Sequence, residues 1–223
     1  MMEQMPQQAE SEPQVATVAT KTTKSMVATA PGWRAGLPVL SNDVVTLRDL
    51  RLSDATSLFS MLSTDEVRRF VSSPPIDVPG YERFIKWAHA ERIAGRCFCY
   101  AVVPAGSDVA IGILQVRSLE TDFRAAEWGA AIGSPFWGTG LFVSGARLLL
   151  DFLFDDVQVH RLEGRAAVQN GRANGAVRKL GAVPEGVLRR GLWCRGQYFD
   201  QLMWSILAED WRELRRVHRP VVH

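Results

Sequence analysis

The stretch with the clearest capacity for chemistry is Ala126-Glu127-Trp128-Gly129-Ala130-Ala131-Ile132-Gly133-Ser134-Pro135-Phe136-Trp137-Gly138-Thr139-Gly140-Leu141. It reads as a strand, a glycine turn and the start of a helix. Glycines let backbone come close to a ligand, and the free N–H groups of a helix start carry the positive end of its dipole, which suits an anion such as a pyrophosphate. An ordinary sharp strand-to-helix connection uses the same glycines, so both readings stand on this motif alone. No Gly-Lys-Ser/Thr follows and the third glycine of a dinucleotide fingerprint is missing, which demotes ATP and NAD. The three cysteines offer little: Cys97 and Cys99, at i and i+2 of an expected strand, lack zinc-ligand spacing, and Cys194 has no histidine nearby in sequence to activate it. Buried thiols in a reducing cytoplasm are expected, with no metal, and His160 reads as structural.

The elements around this turn alternate in type. Val44, Val45, Leu47 and Leu50 predict a strand, after which Ser53-Asp54 offers a helix cap before Leu58, Phe59 and Leu62. Ser73-Pro74-Pro75 and Pro79-Gly80 read as breakers, and a second helix follows with Phe84, Ile85, Trp87 and Ala88, ending at Gly95. Phe98–Val103, Val109–Val116 and Ala125–Ile132 predict an antiparallel meander. From Gly138 to Asp155 only Ser144, Arg147, Asp151 and Asp155 form a polar stripe, so that helix should be mostly buried. Arg161–Val168 alternates as a strand, residues 170–180 form a helix closed by Gly181, and Val187–Cys194 with Tyr198–Leu207 make a terminal hairpin. The predicted order is β-α-α-β-β-β-α-β-α-β-β.

Composition frames this as one domain with appendages. The 223 residues are 47% hydrophobic and 22% charged with a net charge of +2, which gives a core and no field pointing to nucleic acid. Leu141–Phe154, the richest apolar run, is broken by Ser144, Arg147 and Asp151, so no membrane span is expected, and the Glu-containing start does not resemble a secretion signal. Residues 1–36 contain no Leu, Ile or Phe but many Gln, Thr, Ala, Val and Glu, and read as a disordered tail whose single aromatic, Trp33, is expected as an exposed linker residue, with docking as the alternative. Residues 37–208 form the domain. Residues 209–223 read as a basic C-terminal tail, Arg212, Arg215, Arg216 and Arg219 lying on a solvated helix or assisting an acidic partner or RNA. Trp87, Trp128, Trp193 and Trp204 are expected in the core.

Over residues 40–207 the chain resembles the GNAT superfamily of acyl-CoA N-acyltransferases, and within it the RimJ/RimL-like branch. The resemblance rests on Val45-Thr46-Leu47-Arg48 with Asp54, Phe136-Trp137-Gly138-Thr139-Gly140, Val168-Gln169-Asn170-Gly171-Arg172-Ala173-Asn174 leading to Arg178-Lys179-Leu180-Gly181-Ala182, and Glu185-Gly186-Val187-Leu188-Arg189. It implies an α/β three-layer sandwich with a mixed, mainly antiparallel sheet whose cofactor cleft opens where the fourth and fifth predicted strands diverge. It also implies that Trp137, Gly138, Thr139, Gly140, Leu141 and Phe142 surround the pyrophosphate of acetyl-CoA, that backbone groups of Ala130, Ala131 and Ile132 hold the pantetheine and thioester, and that Asn170 contacts the cofactor or caps its helix. Phe142 stands at a small-residue position of the family pattern, and either points into the core or narrows the phosphate site. Ala173 replaces a frequent family serine, so a hydroxyl donor to the leaving thiolate is missing there.

The activity this implies is direct attack of a primary amine on the thioester, in the cytoplasm. Glu127 is the expected base, directly or through water, against the alternative of a surface carboxylate. Tyr198 is the expected acid if the hairpin folds over the thioester, against plain packing; Asp200 orients an amine or pairs with Arg189 or Arg190. The branch points first to a protein N-terminal α-amine, as in ribosomal-protein modification, and next to a small amine. Sheet edges often pair in this family, which adds a homodimer to the expectations. A non-catalytic acyl-CoA-binding or protein-interaction module is the alternative, motivated by Phe142 and Ala173.

Overall fold

Alternating burial along the strands sorts the side chains onto two faces of one eight-stranded sheet, and the helices cover these faces unequally. The computed structural model describes residues 32–71, 74–120 and 122–218. In chain order the elements are β1 (Leu40–Ser41), β2 (Val45–Asp49), α1 (Ala55–Leu62), α2 (Asp65–Arg68), α3 (Val78–Ile93), β3 (Cys97–Pro104), β4 (Gly112–Ser118), β5 (Ala125–Ile132), α4 (Leu141–Asp151), β6 (Arg161–Ala167), α5 (Gly171–Arg178), β7 (Val183–Cys194), β8 (Gln197–Leu207) and α6 (Ala208–His218). The spatial order is β1-β2-β3-β4-β5-β6-β8-β7, with β5–β6 the one parallel pair among the described strands. This is the predicted mixed, mainly antiparallel sandwich. The two-residue β1 moves the diverging strands to fifth and sixth place.

One face carries Val45, Leu47, Phe98, Tyr100, Leu114, Val116, Trp128, Leu162 and Trp204, packed with Ala146, Leu149 and Leu150 of α4 and Trp211 of α6. The other packs Cys99, Ala101 and Val103 of β3 under Leu58 and Leu62 of α1 and Tyr81, Ile85 and Ala88 of α3. α1 is tied to β2 by a buried bidentate pair, Arg48 Nη1 and Nη2 each donating at 2.8 Å to Asp54. α3 begins six residues before its first predicted apolar position: Asp77 accepts from the Gly80 amide at 2.7 Å as its cap, and Pro79 sits in the first turn, where a missing N–H costs nothing. Pro79-Gly80 thus opens a helix instead of breaking the chain.

Both ends depart from expectation. Residues 1–31 and 219–223 lie outside the described residues, but Trp33 is 3% exposed, its ring 5.1 Å from Phe98 and 5.3 Å from Phe123. Arg92 holds the segment down by donating to the Arg34 carbonyl at 2.7 Å. The indole therefore docks, because a ready apolar site removes it from water. The C-terminal segment is a packed helix: Arg215 of α6 meets Asp151 at 2.6 Å and Asp155 at 2.7 Å, and Trp211 donates to Asp151 at 2.9 Å. These partners account for half of the polar stripe predicted on α4. Arg219 lies outside the described residues. Trp87 and Trp193, expected in the core, are about half exposed, while Trp128 and Trp204 are buried. All three cysteines are buried; burial pushes the Cys97 thiol up to about 11 and the Cys99 thiol well above its ordinary value, which disfavours the thiolate at both.

The sheet opens beside a tightly packed contact. β5 and β6 pair through Ala125–Arg161, Ala126–Leu162, Glu127–Glu163 and Trp128–Gly164, and pairing stops there. Gly164 has Trp128 beside it on β5 and Trp204 opposite it on β8, and a Cβ at Gly164 would lie 2.7 Å from the Trp128 indole nitrogen. Gly164→Ala is expected to overpack this point and to lower the unfolding free energy by about 1–3 kcal/mol. Thermal or denaturant unfolding measures it, and Trp128→Phe in the same chain should recover part of the loss, since neighbouring sites couple.

Candidate active site

Beyond Trp128 the β6-facing edge of β5 has no strand partner, and a cleft of about 980 Å³ follows the gap. Its lining comes from both faces of the sheet. Trp137, Gly138, Gly140, Phe142, Arg172 and Val177 stand on the side of α4 and α5, while Asp65, Arg69, Phe70, Val71, Arg195 and Gln201 stand on the side of α2 and the β7–β8 hairpin. A ligand can therefore run through the sheet from one face to the other.

The edge of β5 offers polar backbone to this gap. Gly133 N–H donates to the carbonyl of Ile111, just before β4, at 2.9 Å, so by strand alternation Ala131 also faces β4, while Ala130 and Ile132 turn their N–H and C=O groups toward the cleft. The Ile132 carbonyl is taken by the Trp137 indole N–H at 2.8 Å. Ala130 and the Ile132 amide remain. Ala131 contributes its small methyl side of the wall and not its hydrogen-bonding groups.

The glycine turn has the conformation that its residue types anticipate. Gly138 and Gly140 have φ of +79° and +87°, a region costly for other residues, and a Cβ on either would meet nothing within 4 Å. Open space therefore borders the turn. Thr139 Oγ1 braces it by donating to the Phe136 carbonyl at 2.8 Å, and the first backbone bond of α4 is Ser144 N–H to the Gly140 carbonyl, which leaves the amides of Phe142 and Val143 without intrahelical partners. The Phe142 side chain stacks on Trp128, centroids 6.1 Å apart and planes at 18°, and packs against the core while its edge lines the cleft.

Across the gap, Asn170 Oδ1 accepts from the Ala173 amide at 3.1 Å and caps α5, and its residue also lines the cleft. Asn174, buried, ties three elements together: it donates to the Ala167 carbonyl at 2.9 Å and accepts from the Trp204 indole at 2.9 Å. The sequence pattern contained Asn174 without indicating this bracing role.

The two residues expected to move protons are placed differently. Glu127, 14% exposed in its side chain, sits one position before the strands part on the face opposite α4. Arg117 holds Oε2 with its Nε at 2.7 Å and with its Nη2, and Arg165 Nε lies 3.4 Å from Oε1. Glu127 is not among the lining residues, but Arg165 is. Tyr198 lies further off, at the outer end of the hairpin, 59% exposed, its ring 4.6 Å from Trp193 and outside the lining. The hairpin does fold toward the cleft, but it brings Arg195 and Gln201 there. Asp200 accepts from the Arg190 amide at 2.7 Å, satisfying backbone at a residue with φ of +52° instead of either guanidinium.

Sequence reasoning missed the wall of the cleft that α2 and the hairpin build. Thr64 caps the short α2 by accepting from Val67 N–H at 3.4 Å. The segment after α2 carries Phe70, edge-on to Phe199 at 5.7 Å, and its carbonyls from Arg68, Arg69 and Val71 surround Cys194 Sγ at 3.3–3.7 Å. Asp65 pairs with Arg195 at 3.3 Å. Together α2 and the hairpin roof one end of the cleft. Only the cap at Thr64 signals this segment in the sequence; the cross-chain contacts have no local pattern. Among the described residues no His, Cys, Asp and Glu cluster could hold a metal ion, and no helix is long and apolar enough to cross a membrane.

Known proteins share this arrangement. Residues 45–183 match the family model described as an acetyltransferase (GNAT) domain. The chain is 24% identical to the N-acetyltransferase p20 of Bacillus licheniformis over 78% of its own length and 99% of the relative's. It is 25% identical to the spermidine N(1)-acetyltransferase of Escherichia coli K12 over 75% of its length and 88% of the relative's. Among solved structures, Mycobacterium smegmatis RimJ in complex with CoA-disulfide superposes with a TM-score of 0.70 at 24% identity, covering 82% of this chain and 94% of that one. With a family model spanning residues 45–183 and a sheet that parts beside a glycine turn, the chain belongs to the GNAT family of acetyltransferases.

Proposed function

We propose that the protein transfers the acetyl group of acetyl-CoA to a primary amine, first of all a protein N-terminal α-amine. The observation that carries the reading is the pairing of two donor sets across one gap: the unpartnered amides at the start of α4 and the open edge of β5 at Ala130 and Ile132. Gly138 and Gly140 leave room for phosphate oxygens, and the residues present fit a CoA pyrophosphate. When bound, acetyl-CoA supplies a thioester carbonyl for attack.

The chain's own groups then divide the work. A backbone N–H of β5 stabilises the negative charge that develops on the carbonyl oxygen, a fixed dipole in a partly dry gap. The amine arrives from the side of α2 and the hairpin, where Asp65, Arg69 and Gln201 line the opening. Glu127 accepts the amine's proton through water; Arg117 and Arg165 fix the position of its carboxylate where the strands part, and Arg165 itself lines the cleft. Tyr198 takes no part as acid, being at the exposed hairpin end. The protein N-terminus is favoured by the RimJ/RimL-like motifs and by the likeness to RimJ; the spermidine acetyltransferase relative makes a polyamine the competing acceptor.

Saturating acetyl-CoA is expected to raise the thermal midpoint by several degrees, because a ligand that binds only the folded state stabilises it by about 2.7 kcal/mol at a hundred times its dissociation constant. An unchanged midpoint with acetyl-CoA and with free CoA would favour a protein-interaction module. Acetylation of a panel of N-terminal peptides and of spermidine, read by mass spectrometry, separates the two acceptor classes. In the turnover assay Glu127→Gln should lower kcat by about 10²–10⁴-fold while leaving the acetyl-CoA midpoint shift intact. A variant within twofold of wild type would make Glu127 a structural residue only.

A further inference from the structure

Arg172 differs from the two paired arginines of the cleft, and from Arg69, which lies over its own neighbour Phe70, in stacking on a residue of the glycine turn. Arg165 is paired with Glu127 and Arg195 with Asp65, whereas the Arg172 guanidinium has no carboxylate within 4.0 Å among the described residues and lies on the face of Trp137, 4.0 Å from the ring centre. The two residues belong to opposite lips. Trp137 ends the β5–α4 turn immediately before Gly138, and its indole is pinned to the Ile132 carbonyl. Arg172 is exposed in the first turn of α5, two residues after Asn170. Their stack thus spans the cleft from lip to lip, beside the unpartnered amides of Phe142 and Val143.

A guanidinium on an indole is held by attraction to the ring's face, which is weaker than a charge-assisted, bidentate hydrogen bond to phosphate. An anion entering the cradle therefore outcompetes the ring. Lys179, the other cation on this helix that lines the cleft, follows the C-terminal end of α5 and is remote from that first turn. We infer that Arg172 is a phosphate-binding residue for the pyrophosphate of CoA, its guanidinium exchanging the face of Trp137 for the phosphate oxygens of the ligand. The inference rests on the reading of the cleft as an acetyl-CoA site and adds to it a side-chain cation where the glycine turn supplies only backbone.

Titration calorimetry of the full chain with CoA and with 3′-dephospho-CoA tests it, using wild type, Arg172→Gln and Arg172→Lys. Arg172→Gln should weaken both ligands by the same factor, about 10- to 100-fold as expected for a hydrogen bond to a charged group, with Arg172→Lys between it and wild type. The ligand-free thermal midpoint should stay within about a degree, as for other exposed positions. Affinities within threefold of wild type for both ligands would overturn the assignment. So would a loss confined to CoA, which would put Arg172 on the 3′-phosphate, or a large fall in the ligand-free midpoint, which would make it a structural residue. Wild-type protein that binds neither ligand overturns the acetyl-CoA reading itself, a result distinct from a wild type that binds and an Arg172→Gln variant that matches it.

Discussion

The contact between the Trp128 indole and the Cβ-less Gly164 is the constraint on which the site depends. Two adjacent strands in register normally continue to pair, because each unpaired N–H or C=O that is buried costs free energy. Here Gly164, in register with Trp128 on one side and Trp204 on the other, is the last residue of β6 to pair with β5. The strands part at that level. What would be a defect in a continuous sheet becomes a strand edge with free polar groups facing a gap, and Phe142 reinforces it by stacking on Trp128 from the first turn of α4.

The surrounding structure holds the gap at fixed width by polar ties rather than by apolar packing alone. Asn174 joins β6, α5 and Trp204 of β8 on one face. On the other face, Arg117, Glu127 and Arg165 link β4, β5 and β6 just before the strands diverge, and Arg161 continues the ladder to Glu185 at 2.8 Å, with Ser205 donating to the same carboxylate at 2.6 Å. The Arg161 guanidinium and the Ser205 hydroxyl hold the Glu185 carboxyl at about 2, so this side of the ladder keeps its charge down to acid pH. The helix layer is secured in the same way, by Arg48 and Asp54 under α1 and by Arg215 with Asp151 and Asp155 between α6 and α4. Each tie crosses between elements distant in sequence, so the geometry of the gap depends on the completed fold.

Much of the architecture was legible because local rules and tertiary packing agree. The meander, the buried helix after the glycine turn and the hairpin all follow from hydrophobic period and turn chemistry. Misreadings fell where a local signal has two meanings. Pro79-Gly80 can break a helix or open one, and the Asp77 cap decides. Trp193 alternates like a core residue, but β7 is the edge of the sheet, so it stays half exposed with its ring tilted against Tyr198. Trp33 sits in a polar stretch and is buried because Phe98 and Phe123 provide its site, which no local pattern contains.

For the site, the amino-acid sequence by itself determined the glycine turn, the cap of α5 at Asn170 and the small residues along β5, since backbone conformation at Gly138 and Gly140 and capping at Asn170 are local properties of residue type. Tertiary structure decided the rest. It turned the Phe142 ring onto Trp128, removed Tyr198 from the cleft, placed two arginines around Glu127, and brought Arg172 against Trp137 from the opposite lip. These are contacts between side chains on different elements, and their directions follow from strand register, sheet twist and helix placement. The short-range pattern of a chain carries conformation; only the packed fold sets which charges and rings meet across a gap.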